Sequence, residues 1–120
     1  MNRCQTASIF STQRCSNEPS ASISSINTFT VEAANAERLL QALSEATETL
    51  FRHQPGFTSA NLHMSRDHRR IVNYPQWRSK ENYAAMSKQP DIQAHMKQAA
   101  ALAISFDPGD YDLRDVVLAA

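Results

Sequence analysis

Asn73 and Trp77 lie four residues apart in the run Ile71-Val72-Asn73-Tyr74-Pro75-Gln76-Trp77, and Tyr83 follows shortly after. If that run is a strand, side chains alternate between its faces, so an amide and an indole share one surface. Tyr83, on the first turn of a following helix, is close enough in sequence to swing over the strand end. The three groups suit a flat phenolic substrate, because Trp and Tyr offer aromatic faces and Asn can donate to a phenolate oxygen. The same donors can stabilise an anion as it forms. A Trp and a Tyr near a strand end are nevertheless more often core or interface residues, so residue type alone leaves packing and catalysis both open.

Other side chains extend this candidate site. His63 alternates away from Leu62 and Met64, on the face of Asn61, and an imidazole titrating near neutrality suits a general base. His95 flanks the apolar stripe of the last helix and offers the same chemistry. Met86 shares a short helix with Tyr83 and is read as a substrate contact, and Lys97 offers a positive charge, with a solvated helix lysine as its ordinary alternative. His53 and His68, at a helix end and in a turn, are assigned nothing. No HxH, HExxH or CxxC pattern occurs, so no metal site is expected. With Gly56 and Gly109 the only glycines, a glycine-rich phosphate loop is excluded.

The elements that must position these groups follow from periodicity. Ile26 to Val31 is β-branched and aromatic and reads as a first strand. Leu39, Leu40, Leu43, Thr47, Leu50 and Phe51 recur at helical spacing between Asn35 and His53, and Gln54-Pro55-Gly56 ends the pattern. Phe57 to Met64 alternates, and the polar turn Arg66-Asp67-His68-Arg69 joins it to Ile71–Trp77 as a hairpin. Ser79 caps a short helix carrying Tyr83 and Met86. After Pro90, Asp91 caps a second piece striped by Ile92, Met96, Ala99 and Ala103. Pro108-Gly109 is read as a turn into a last strand from Tyr111 to Leu118.

The order βαββαβ is the split-βαβ, ferredoxin-like arrangement of an α+β domain, an antiparallel sheet with both helices on one face. The other face must then be polar or be buried against a partner.

The chain of 120 residues has room for one such domain, placed at residues 26–118, with residues 1–25 read as a flexible extension rich in Ser, Thr, Gln and Asn. Arg3 and Arg14 with no acid before Glu18 also suit a transit peptide, but composition favours an untargeted tail. Cys4 and Cys15 fit neither a zinc knuckle nor a redox pair, and the domain needs no oxidising compartment, which is compatible with the cytoplasm. Twelve basic residues balance twelve acidic ones, so nucleic acid and membrane are not expected partners. The basic run from Arg66 to Arg70 reads as a solvated turn.

Pro55-Gly56-Phe57, Val72-Asn73-Tyr74 leading to Gln76-Trp77, Ser79 and Tyr83, in this order on this frame, resemble the antibiotic biosynthesis monooxygenase family of the dimeric α+β-barrel superfamily. The resemblance runs from about Ile26 to Val117 and implies a homodimer whose sheets pack face to face as a barrel. It also implies a monooxygenase that oxidises an aromatic phenol or anthrone-type polyketide to a quinone, with molecular oxygen as co-substrate and no cofactor. Asn73, Trp77 and Tyr83 correspond to the family's active-site Asn, Trp and Tyr. Some quinone-forming members carry an Arg on the second helix, where Lys97 is the nearby cation and differs in geometry. Haem-degrading relatives carry a ligating His at the position of Ser87. Polyketide cyclases of the same fold, and a non-enzymatic dimeric small-molecule binding protein, are the competing readings.

Overall fold

The computed structural model of the chain describes residues 23–120. Cys4, Cys15 and nearly all of the proposed N-terminal extension lie outside the described residues. Strand β1 (Ile23–Thr30) is followed by helix α1 (Ala33–Thr49) and a short 3-10 turn, Phe51–His53. Strands β2 (Phe57–Met64) and β3 (Arg70–Trp77) form the hairpin, then come α2 (Lys80–Ser87), α3 (Pro90–Leu102) and β4 (Ser105–Tyr111). The four strands run antiparallel in the order β2-β3-β1-β4. This is the ferredoxin-like α+β fold.

Several boundaries depart from the pattern in the sequence, among them the first helix, which runs Ala33–Thr49 and gives way to the separate 3-10 turn instead of continuing to His53. Strand β1 begins at Ile23 rather than Ile26, taking in Ser24 and Ser25, both buried. Serines carry little strand propensity, and only their burial between neighbouring strands holds them there. Helix α3 begins with Pro90 in its first turn and Gln89 as N-cap, so Asp91 lies inside the first turn and is not the cap. Proline suits this position because its missing N–H would have no intrahelical partner.

The larger correction concerns the last strand, which is Ser105–Tyr111 and not Tyr111–Leu118. Pro108 and Gly109 stand within it, opposite Asn27 and Ile26 of β1. Strand β4 is at the edge of the sheet, where a proline costs no ladder bond on the outer side. Beyond Tyr111 the chain has no regular structure.

Helix α1 lays Ala36, Leu39, Leu43 and Ala46 on the sheet. Burying each leucine contributes roughly 1.5–3 kcal/mol. They meet Phe29, Val31, Ile71 and Ala99 in one cluster, while Ile23, Trp77, Met86 and Ile92 form a second beneath α2 and α3. Thr47 sits on the apolar stripe because its hydroxyl donates to the Leu43 carbonyl at 2.8 Å, which leaves its methyl to pack.

The hairpin turn is held by Asp67, whose carboxylate accepts from Ser65 Oγ at 2.7 Å and from the Arg69 amide at 3.0 Å. His68 takes a positive φ of 61° there, and the neighbouring arginines are exposed as a turn requires.

The sheet face turned away from the helices carries Thr28, His63, Val72 and Tyr74 among others, by strand alternation and register. Part of it is a hydrogen-bonded patch. Ser59 donates to Gln76 Oε1 at 2.9 Å, and Gln76 Nε2 donates to the Tyr74 hydroxyl at 3.2 Å. No helix among the described residues is long and apolar enough to cross a membrane.

Candidate active site

Between the sheet and the helices lies a cavity of about 420 Å³, walled by residues that include Phe29, Leu43, Phe57, Trp77, Met86 and Phe106. Its size and apolar lining suit a small organic ligand. Asn73 and Trp77 reach it from the same face of β3, as alternation requires. Opposite Asn73 across the sheet lie Asn27 of β1 and Leu62 of β2.

Trp77 is almost fully buried, its ring held edge-on by Phe57 at 5.4 Å and by Tyr83 at 6.2 Å between centroids. Packing alone would be satisfied by any large aromatic. The indole, however, also carries a polar atom, and Trp77 Nε1 is buried with no hydrogen-bond partner among the described residues. Asn73 Oδ1 is in the same condition. Leaving one buried polar group unpaired costs about 1–3 kcal/mol, and these two line one cavity. A ligand with a hydroxyl on a flat apolar frame, accepting from Trp77 Nε1 and donating to Asn73 Oδ1, would supply what both lack.

Helix α2 positions Tyr83. Ser79 caps it by accepting from the Asn82 amide at 3.1 Å, and Gly56 keeps the approach clear, since a β-carbon there would collide with the Asn82 side chain. The Tyr83 ring lines the cavity beside Trp77. Burial pushes its phenol above the ordinary value of 10.0.

Helix α3 contributes His95 and Lys97. His95 is buried, edge-on to Phe51 at 5.7 Å, and burial pushes its pKa below 6.5, so the ring is neutral at physiological pH. Lys97 is exposed and lines the cavity with its flexible stem. Ser87 lines the cavity too, its hydroxyl donated to the Ala84 carbonyl at 2.8 Å, and gives haem iron no imidazole.

The structure therefore gathers Asn73, Trp77, Tyr83, Met86, His95 and Lys97 around one space. His63 is the exception. It pairs with Val72 on the opposite sheet face, so a strand separates it from the cavity and it contacts no ligand there within this protomer. Ser25 and Asn27 reach the site without having been singled out from the sequence, because they precede or begin what reads as strand.

Residues 22–98 match the family model described as antibiotic biosynthesis monooxygenase. Over 70 residues the chain is 44% identical to tetracenomycin-F1 monooxygenase of Streptomyces glaucescens, covering 58% of this chain. The match spans 62% of that relative's length. Among solved structures, the ActVA-Orf6 monooxygenase of Streptomyces coelicolor, in complex with nanaomycin D, is similar with a TM-score of 0.74 at 25% identity, covering 87% of this chain and 97% of that one. SnoaB of Streptomyces nogalater, described as a cofactor-independent oxygenase, gives 0.68 at 24% identity, covering 81% and 97%.

Proposed function

Because the chain belongs to the antibiotic biosynthesis monooxygenase family, we propose that it is a cofactor-independent monooxygenase converting an anthrone-type or phenolic polyketide to a quinone with molecular oxygen. The observation that carries this reading is the pair of buried atoms without a partner among the described residues, Trp77 Nε1 and Asn73 Oδ1, on residues that line one apolar cavity. One relative is named for tetracenomycin F1 and another was solved with the ligand nanaomycin D.

The chemistry needs little from the protein beyond an environment. An anthrone loses a proton to give an electron-rich anion, which passes one electron to oxygen. The radical pair recombines to a peroxide, and loss of water leaves a carbonyl. One oxygen atom enters the product, and the other leaves as water with the two hydrogens of the original methylene.

Such a site must favour the anion and keep bulk water away. Trp77 Nε1–H donates to the anionic oxygen. Asn73 Oδ1 accepts from a substrate hydroxyl or from the O–H of the hydroperoxide and so positions it. Lys97 adds positive charge near the cavity and favours the deprotonated substrate. Neutral His95 can accept a hydrogen bond from a substrate hydroxyl, and Met86 packs against the ring system. In the proposed homodimer, the sheet faces opposite the helices pack together as a barrel.

The test is isotopic. With metal-free protein and an anthrone substrate under ¹⁸O₂, the account expects one oxygen atom in the quinone and one oxygen molecule consumed per turnover. Conversion of an anthrone-type or polyketide substrate without oxygen uptake would replace the monooxygenase by a cyclase.

A further inference from the structure

Helix α3 buries Ile92, His95 and Ala99, so an imidazole stands in a stripe that is otherwise apolar. His95 lines the cavity. Ile92, one turn earlier on the same helix face, packs in the cluster that holds Trp77 and Met86, so the imidazole neighbours the wall that carries the indole.

Among the described residues that line the cavity, Tyr83, His95 and Lys97 are the titratable ones, and no Asp, Glu or Cys joins them. Near neutral pH a phenol and an ammonium both hold their protons, whereas a neutral imidazole keeps one nitrogen free to accept. Burial widens that difference, since it raises the Tyr83 phenol and lowers the His95 imidazole. The charged groups of the surrounding elements are exposed. On α1 these are Glu37, Arg38, Glu45 and Glu48, the last paired with Arg52 at 2.9 Å. Arg52 and His53 follow Phe51, whose ring meets the imidazole edge-on, and Lys80 and Glu81 open α2. On α3 itself Asp91 and Lys97 are exposed.

We infer that His95 is the general base of the site, taking the substrate's proton and returning it to the peroxide. The inference rests on the monooxygenase reading and deepens it.

The step balances. The substrate's O–H bond, or the C–H bond of its methylene, breaks and the proton binds the free imidazole nitrogen. The electron pair stays on the substrate, whose negative charge then faces an imidazolium. The anion passes one electron to oxygen, the two radicals join through a new C–O bond, and the imidazolium proton binds the outer peroxide oxygen. His95, neutral again, takes the remaining hydrogen of that carbon as the O–O bond breaks. The departing hydroxide and this proton make water, and the carbonyl is left.

The experiment compares wild type, His95→Gln and His95→Ala, each first shown to melt cooperatively, with an anthrone substrate. Mixed without oxygen, wild type is expected to develop the visible absorption of the substrate anion, and His95→Gln to bind the substrate without it. With oxygen, kcat of His95→Gln is expected to fall about 10²-fold with KM within about twofold. Added imidazole is expected to restore part of the rate of His95→Ala in proportion to its neutral form. Wild-type kcat is expected to fall as pH drops through the His95 value, below 6.5, because the protonated ring has no lone pair; His95→Gln loses this limb. A histidine that only packs would move neither the anion spectrum nor the response to imidazole. Wild-type turnover in His95→Gln, or a substrate anion that forms in it as fully as in wild type, would overturn the base and leave the monooxygenase standing. Absence of oxygen uptake by wild type would overturn both.

Discussion

Trp77 and Asn73 each combine a packing duty with an unspent polar atom, and that combination separates a site from a core. Their shared face was legible because strand alternation depends only on spacing. The polar groups that join them at the cavity were not, because Ser25 and Asn27 come from a distant strand whose register no local pattern reveals. His63 failed for a related reason: its face was readable, but which face the cavity occupies depends on where the helices pack. His95 carries a testable consequence of burial. Its folded-state pKa is depressed, so the neutral ring contributes stability present above about pH 6.5 and lost as pH falls through the folded value. Thermal unfolding followed between pH 7.5 and 5 (about the range of histidine titration) is expected to show a decline in Tm that His95→Phe makes shallower. An equal decline in the variant would assign it to other groups.

At the scale of elements, the hairpin, the long helix and the two short helices were written in hydrophobic period and caps, and Ser79 acts as the N-cap its position suggested. Strand β4 was not, because Pro-Gly is an ordinary turn signal and only its edge position lets the pair sit in a strand. Gly56 shows how an element boundary serves the site. It takes a φ of 84°, accepts from the Arg78 amide at 2.7 Å, and lies against Asn82, the residue before Tyr83. Gly56→Ala adds both left-handed strain and a clash, so a loss of stability above about 1 kcal/mol is expected in chemical denaturation. Activity should fall further than stability, since helix α2 must shift and carry Tyr83 with it. A variant as stable and active as wild type would show that the α2 approach is not constrained at this point.

For the whole molecule, a sheet covered on one side asks for a partner on the other, and the fold order alone raised that question. The answer proposed is a second copy. Val72 stands in the middle of the open face, between Thr28 of β1 and His63 of β2. Val72→Asp would bury an unpaired charge in the barrel and is expected to yield monomers in analytical ultracentrifugation, where the wild type sediments as a dimer. A wild-type monomer would overturn the barrel, and a dimer insensitive to this change would place the interface elsewhere. The account's central claim is that the two unpartnered groups in the cavity carry the oxygen chemistry. Its most direct test is oxygen uptake with an anthrone substrate by wild type, Trp77→Phe and Asn73→Ala, each first shown to melt cooperatively. Loss of either polar contact predicts a fall in kcat of about 10²-fold in each variant. Folded variants that consume oxygen and form quinone at the wild-type rate would contradict it.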